Sequence, residues 1–311
     1  MPLWLSEDDV RSLVTPADAV PVIEDCFRRM AAGQVELMPR RRFAVDGGYF
    51  AVMAATDRGL GVAGLKSYLL VEGRIEFVVC LFDLGEGTLA AMIAADKLGQ
   101  VRTGAASGVA AKHLARRGAA SLGLIGAGWQ AESQLAAIRA AVPSIERVVV
   151  SSRSRERAEA FAEANGTDVA ESPSEAGGCD VVVTATSSKD PVLRGDWLAD
   201  GALVCAIGAN DPRARELDAQ VIARATVVCC DSIEDGRLES GDLIEPIAAG
   251  QLDWLEVQEL AQIVSGELPG RQADTDVVVF KSNGIAPWDL AIGHEVVRRA
   301  RERGVGTQLD G

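Results

Sequence analysis

The rhythm of apolar and polar residues changes near residue 121. Before that point, Tyr49–Ala54, Val62–Leu70 and Ile75–Phe82 are short runs rich in Val, Ile, Leu and aromatics. Glu72-Gly73 and Gly85-Glu86-Gly87 separate them as hairpin turns. Strands that follow one another without helices between them predict an antiparallel sheet. Thr15-Pro16-Ala17-Asp18 starts a helix: a hydroxyl cap, a proline in the first turn and an acid near the positive helix end. That helix is expected to reach about Ala32 and stop at Gly33, and a second is expected from Asp96 to Arg117. After residue 121 the runs LGLIG, RVVVS, DVVVTAT, ALVCAIG and TVVCC alternate with helical or turn-rich segments. This grammar builds a parallel sheet covered by helices. A final helix is expected over Trp288–Gly304.

The predicted fold class is therefore α/β: a Rossmann dinucleotide-binding domain plus an α+β antiparallel-sheet domain. We expect the Rossmann domain at 119–287, with 1–118 and 288–311 forming the antiparallel-sheet domain.

The strand Leu122–Gly126 runs directly into Gly126-Ala127-Gly128-Trp129-Gln130-Ala131, a G-x-G-x-x-A turn that opens the helix AESQLAAIRAA. Gly126 permits a tight turn, Gly128 lets the backbone approach a pyrophosphate, and Ala131 lets helix and strand pack closely. The free N–H groups at the helix start then hold phosphate. A lone motif of this kind is weak, but here it has a strand before it, a helix after it and a second strand at Arg147–Ser151. An acid at the end of that second strand would bind the 2′-hydroxyl of NAD. This chain has Ser151-Ser152-Arg153-Ser154-Arg155 instead, which favours the 2′-phosphate of NADP, with NAD still possible. The bland alternative is a pair of solvated arginines. Thr184 and Thr186 end the fourth Rossmann strand, where the sheet's carboxyl edge meets the cofactor, although hydroxyls there serve equally as caps or loop bonds.

Composition narrows the partners. The 311 residues are 48% apolar, enough to bury a core without disulfides or metal. A balance of 31 basic against 45 acidic residues, net −14, argues against nucleic acid or an anionic membrane as partner. The six cysteines form no C-x-x-C and several sit in apolar runs, which predicts buried thiols in a reducing compartment. The segment MPLWLSEDDV does not read as a secretory signal and no run approaches a membrane span, so the expected location is cytoplasmic. With two histidines, His113 and His294, and no clustered cysteines, no catalytic metal is expected. There is no G-x-S-x-G elbow for a serine hydrolase.

Several separated motifs, in order, resemble one family. They are Met38-Pro39-Arg40-Arg41, Gly64-Leu65-Lys66-Ser67, Arg102-Thr103-Gly104-Ala105-Ala106-Ser107, the glycine turn, Arg215-Glu216-Leu217-Asp218, Glu239-Ser240-Gly241-Asp242 and Phe280-Lys281-Ser282-Asn283-Gly284. Together they are similar to the ornithine cyclodeaminase/mu-crystallin family over almost the whole chain. The resemblance implies that 1–118 with 288–311 is the substrate-binding and dimerisation domain of a homodimer, with contact through the amino-terminal antiparallel sheet completed by the last helix. It also implies hydride exchange between nicotinamide and the α-carbon of an amino or imino acid.

A substrate with an α-carboxylate needs a cationic clamp. Arg41, in the family's P-x-R position, and Arg102 are the candidates, with Arg40 and Arg42 as register alternatives. Lys66 lies within VAGLKSYLLV, where a lysine is costly unless paired or used; by resemblance it orients substrate or donates a proton. Glu239, Ser282 and Gly284 match substrate-side positions. The cofactor contacts expected in this frame are Gly126, Ala127, Gly128, Trp129 and Gln130, then Ser152, Arg153, Ser154 and Arg157, then Thr184, Ala185 and Thr186, then Ile207, Gly208 and Asn210, together with Thr103.

One departure matters. Where the cyclodeaminase pattern has an aspartate two residues before a proline, this chain has Asn210 in Gly208-Ala209-Asn210-Asp211-Pro212. An amide cannot serve as a carboxylate base. The expected reaction is therefore reduction of a preformed cyclic imine such as pyrroline-2-carboxylate or piperideine-2-carboxylate, with Lys66, Arg102 and Asn210 at the catalytic positions. The alternatives are an ornithine cyclodeaminase, an alanine or other amino-acid dehydrogenase, and a non-catalytic NADPH-dependent small-ligand binding protein.

Overall fold

A computed structural model describes residues 1–309. The chain forms two compact units, one from Met1–Arg102 together with the chain from Ile285 onward, the other from Thr103–Gly284. These boundaries lie short of the expected 118 and 288, since the division falls within a helix and just before another.

The first unit opens with β1 (Leu3–Leu5), α1 (Glu7–Leu13) and α2 (Pro16–Ala31). Both helices start at a reciprocal cap, Ser6 with Asp9 and Thr15 with Asp18, which satisfies amide groups that the first turn leaves open. The strands β2 (Val35–Val45), β3 (Gly48–Asp57), β4 (Val62–Val71), β5 (Arg74–Asp83) and β6 (Thr88–Ala94) follow as an antiparallel meander, and α3 (Asp96–Leu114) leaves it. Glu72 and Gly73 both have positive φ, 49° and 80°, as a two-residue hairpin turn between β4 and β5 requires. The basic triplet Arg40-Arg41-Arg42 belongs to strand β2, so its long side chains are shared between two sheet faces.

The second unit contains β7 (Ser121–Ile125), α4 (Trp129–Ala141), β8 (Arg147–Ser151), α5 (Arg155–Asn165), β9 (Asp168–Val169), α6 (Pro173–Gly177), β10 (Val181–Thr184) and β11 (Leu203–Ala206). It continues with α7 (Ala219–Arg224), β12 (Val227–Cys230), α8 (Ile233–Glu239), α9 (Gly241–Ala248), β13 (Val257–Glu259), α10 (Leu260–Ser265) and β14 (Val278–Lys281). Its eight strands are all parallel, in the order β13-β12-β14-β11-β10-β7-β8-β9. The central strands are entirely buried, as continuous Val-rich runs predict. Chain order reverses between β7 and β10, so the carboxyl ends of these two strands form the crevice where doubly wound sheets bind ligands.

The chain then returns to the first unit as α11 (Ala286–Arg303) and β15 (Thr307–Gln308), completing the sheet β15-β1-β6-β5-β4-β3-β2. One pairing departs from the antiparallel rule, near the sheet's margin: β1 runs parallel to β6, while β15 runs antiparallel to β1. Helix α11 lies against the sheet's inner face, where Leu290 approaches Gly64 of β4. Alternate residues of β3 through β5 (Ala51, Met53, Val79 and Leu81) are buried beneath it. Among the described residues no helix is long and apolar enough to cross a membrane.

Candidate active site

The inner face of the first unit's sheet carries a buried charge cluster. Lys66 of β4 pairs across the sheet with Met53 of β3 and Val79 of β5, both core residues, so period-two alternation points its side chain inward. Its ammonium donates to Oδ1 of Asp289 on α11 at 3.0 Å and stands 4.9 Å from the centre of the Phe77 ring. Gly99 of α3 leaves room for it, since a Cβ there would sit 2.8 Å from Lys66 Nζ. Arg102 of α3 donates its Nε to the same Oδ1 at 3.2 Å and lies over Trp288, 5.7 Å from the ring. Its terminal Nη groups make no hydrogen bond among the described residues.

Burial lowers Lys66 to about 8, helped by the fields of Arg102 and Arg40 and opposed by Asp289. A lysine poised there is mostly charged at neutral pH yet gives up its proton far more readily than one in water. Since the folded value lies below the ordinary 10.5, the burial costs stability fully below pH about 8. That cost fades as pH rises from about 8 toward 10.5.

The position of the third cation corrects the sequence reading. Met38 pairs with Ala54 and Arg41 with Val52, so Pro39 and Arg40 together oppose Met53. Proline cannot donate to the ladder, and a bulge forms where the pairing skips. Its effect is to turn Arg40 to the inner face: Arg40 is buried, with Nε 3.3 Å from Met53 Sδ, beside the partner of Lys66. Arg41 shares the outer face with Val52 and Ser67 and is exposed. The register alternative, Arg40, joins the Lys66 cluster; Arg41 does not.

In the second unit, the glycine turn lies at the carboxyl end of β7. Gly126 has φ +117°, and a Cβ there would collide with the Ala185 carbonyl oxygen. Gly128 is the residue before α4, exposed, with no side-chain cap on the helix and no atom within 4 Å of where its Cβ would stand. This is an open cradle at the N-terminus of a 13-residue helix, which fits the pyrophosphate of a dinucleotide. At the end of β8, Ser151 is buried and no acid is present, Ser152 and Arg153 follow, and Ser154 caps α5 by accepting from Arg157 N–H. Arg155 is taken by Glu159, whereas Arg153 is exposed and makes no hydrogen bond or ion pair among the described residues.

The hydroxyls of Thr184 and Thr186 do not point to a cofactor. Both donate to Glu216, a fully buried carboxylate that also accepts from the N–H groups of Thr186 and Gly208 at 2.8 and 2.7 Å. The physical reason is that an unpaired buried carboxylate would be prohibitively costly, so nearby donors turn to it. Asp242 accepts from the N–H groups of Glu216 and Leu217 and pairs with buried Lys281 at 3.0 Å; Lys281 in turn donates to the Ala209 carbonyl. Ser282 is used in the same way: its hydroxyl and the N–H groups of Asn283 and Gly284 all donate to Oδ2 of Asp231. Motifs that resembled substrate and cofactor positions thus also contain a buried scaffold that fixes the loops after β10 and β11.

The remaining expected site residues fall as follows. Asn210 is exposed in the loop after β11, and its neighbour Asp211 turns to Arg213. Glu239 is buried at the end of α8, and Ile207, Ala185 and Thr103 are partly exposed. Sequence reasoning missed Asp289, Glu216, Asp242, Lys281 and Asp231. The one local signal for Asp289 is an acid within the apolar stretch Ile285–Ile292.

Comparison with known proteins decides the lineage. The ornithine cyclodeaminase/mu-crystallin family model matches residues 2–304. The chain belongs to this family. Among its members, the chain is 34% identical over 329 residues to a Delta(1)-pyrroline-2-carboxylate reductase of Bacillus cereus, covering 99% of each. The Delta(1)-pyrroline-2-carboxylate reductase of Thermococcus litoralis, solved with NADH and L-proline, superposes with TM-score 0.93 at 30% identity over 99% of this chain and 100% of that one. An archaeal alanine dehydrogenase dimer with bound NAD gives TM-score 0.93 at 29% identity, covering 99% of both.

Proposed function

We propose that this protein is an NAD(P)H-dependent oxidoreductase that reduces a cyclic imino acid, of pyrroline-2-carboxylate or piperideine-2-carboxylate type, to the amino acid. The observation that carries the reading is the buried pair of cations, Lys66 and Arg102, sharing one carboxylate oxygen in a chain that also has a dinucleotide turn. One carboxylate cannot neutralise two cations, so the cluster favours an anion. Arg102 offers its unbonded Nη groups to a carboxylate, a fit that a forked guanidinium makes well, and Arg40 adds its charge. A reduced nicotinamide, once bound, would supply the hydride for the imine carbon. Lys66 would hand a proton from its ammonium to the imine nitrogen, which carries the former C=N pair. Lys66 is left neutral and recovers its proton from water.

The relatives named as pyrroline-2-carboxylate reductases support this reading, and so does the amide at Asn210, which cannot supply the carboxylate chemistry of cyclisation. An amino-acid dehydrogenase is the second reading, favoured by the likeness to alanine dehydrogenase. Assays of pyrroline-2-carboxylate, piperideine-2-carboxylate, pyruvate with ammonia, and ornithine separate the readings. Consumption of reduced cofactor with a cyclic imine and no added ammonia supports the first. Activity only with pyruvate and ammonia supports the second, and ammonia release from ornithine overturns both.

NADPH is the preferred cofactor in this proposal, because Arg153 stands uncommitted at the end of β8 where NAD enzymes place an acid. Relatives solved with NADH and NAD keep the second cofactor in view. Arg153→Ala should lower the NADPH/NADH ratio of kcat/KM by about tenfold, the effect of removing one charge-assisted hydrogen bond to the 2′-phosphate; an unchanged ratio contradicts the preference. The protein is further proposed to be a homodimer through the outer face of its antiparallel sheet. That face exposes Phe43, Phe50, Leu69 and Phe82, at 57%, 38%, 45% and 41%, while the last helix occupies the opposite face. Light scattering should give twice the chain mass, and Phe50→Glu with Leu69→Glu should halve it.

A further inference from the structure

Asp289 is in the first turn of α11, fully buried, and its Oδ1 receives both Lys66 Nζ at 3.0 Å and Arg102 Nε at 3.2 Å. Its Oδ2 is equally buried and makes no hydrogen bond among the described residues. The three side chains come from β4, α3 and α11, separated in sequence by as many as 223 residues, so the return of the chain as α11 is what delivers the carboxylate to both cations.

We propose that Asp289 is the positioning residue of the site: it holds Lys66 in its charged, proton-donating form and anchors Arg102 by its Nε edge, so that the Nη fork is left for a substrate carboxylate. The physical case rests on what surrounds Lys66. Burial strips water from the ammonium, and Arg102 and Arg40 repel it; the carboxylate of Asp289 acts the other way, both by its charge and by its hydrogen bond. Of the other charges on α11 and on the elements packed against it, Asp57 of β3 pairs with Arg29 of α2, Glu295 binds Arg298 and Arg299, Glu24 binds Arg28, and burial lowers the pKa of His294. An amide at residue 289 would accept the same two hydrogen bonds at Oδ1 but supply no charge. The charge, not the bond count, is therefore the property at issue. Sharing a single oxygen places the proton donor and the carboxylate clamp on one anchor.

This inference takes from the proposed function only that Lys66 is the proton donor, and its test does not need turnover. The chain has five lysines (Lys66, Lys97, Lys112, Lys189 and Lys281), so 13C-lysine labelling gives few resonances, and Lys66→Met assigns the one of interest. The Lys66 Cε shift, followed against pH, should titrate near pH 8 in the unsubstituted protein. In Asp289→Asn the midpoint should fall by about one unit or more, and Asp289→Glu should restore it. In Arg102→Gln, with a repelling cation gone, the midpoint should rise. An Asp289→Asn protein that melts normally, binds NADPH, and keeps the Lys66 midpoint overturns the proposal. If that variant does not fold, the Arg102→Gln arm decides: a midpoint that stays or falls overturns it. With an imine substrate, Asp289→Asn should also move the alkaline limb of kcat/KM downward by the same interval and raise KM, which a purely structural defect would not do. Loss of the limb shift with the NMR shift intact would instead count against imine reduction as the activity.

Discussion

Lys66→Met is expected to lower kcat for imine reduction by about 10²–10⁴-fold, the range for removal of a general acid, while leaving NADPH binding unchanged. Methionine fills the space between Phe77 and Gly99 without a proton to give, so the fold should stand. It also removes a buried charge whose presence costs stability below pH about 8, so the variant should melt no lower than the parent at neutral pH. The sign of the pH effect is fixed by chemistry: the donor must be protonated, so kcat/KM of the parent falls as pH rises through about 8. In the methionine variant this limb disappears. Initial rates from pH 6 to 10, with cofactor binding measured by nicotinamide fluorescence, check both statements. A variant that retains full kcat contradicts the role of Lys66.

The second large effect separates two glycines of one turn. Gly126→Val places a branched side chain at φ +117° and drives its Cβ into the Ala185 carbonyl, so it should lower both the melting temperature and cofactor affinity. Gly128→Val meets no protein atom and has φ −102°, which any residue adopts. Its side chain would enter only the open cradle before α4. We expect an unchanged melting temperature and a cofactor Kd raised by about 100-fold, equivalent to losing roughly 3 kcal/mol of phosphate binding. If Gly128→Val binds NADPH as the parent does, the pyrophosphate does not sit at this helix.

Much of this was legible in the sequence because its causes are local. Thr15 with Asp18, Glu72 with Gly73, and the strand–glycine–helix passage at Leu122–Ala131 each fix their conformation within a few residues. What escaped is non-local or parity-dependent. A single bulge at Pro39–Arg40 exchanges the faces of two adjacent arginines, and composition cannot say which of the two faces inward. Asp289 gains its meaning only from partners 187 and 223 residues away. Glu216, Asp242 and Lys281 lie in motifs that carry the family resemblance without a role of their own there; the structure buries all three and satisfies them against loop amides and one another. Thr184 and Thr186 followed the same course, since a buried carboxylate claims the nearest hydroxyls. Lys66 was visible because a lone cation in an apolar strand has few structural uses.

In the proposed function, the α-carbon of a cyclic imine receives a hydride while this chain supplies the proton. The decisive experiment incubates the protein with pyrroline-2-carboxylate and reduced cofactor deuterated at the transferable C4 position, and reads the product by NMR. The expected product is proline carrying one deuterium at its α-carbon, formed in step with cofactor oxidation and without release or need of ammonia. Unlabelled proline, or no oxidation of either NADPH or NADH with this imine and its six-membered homologue, would contradict it.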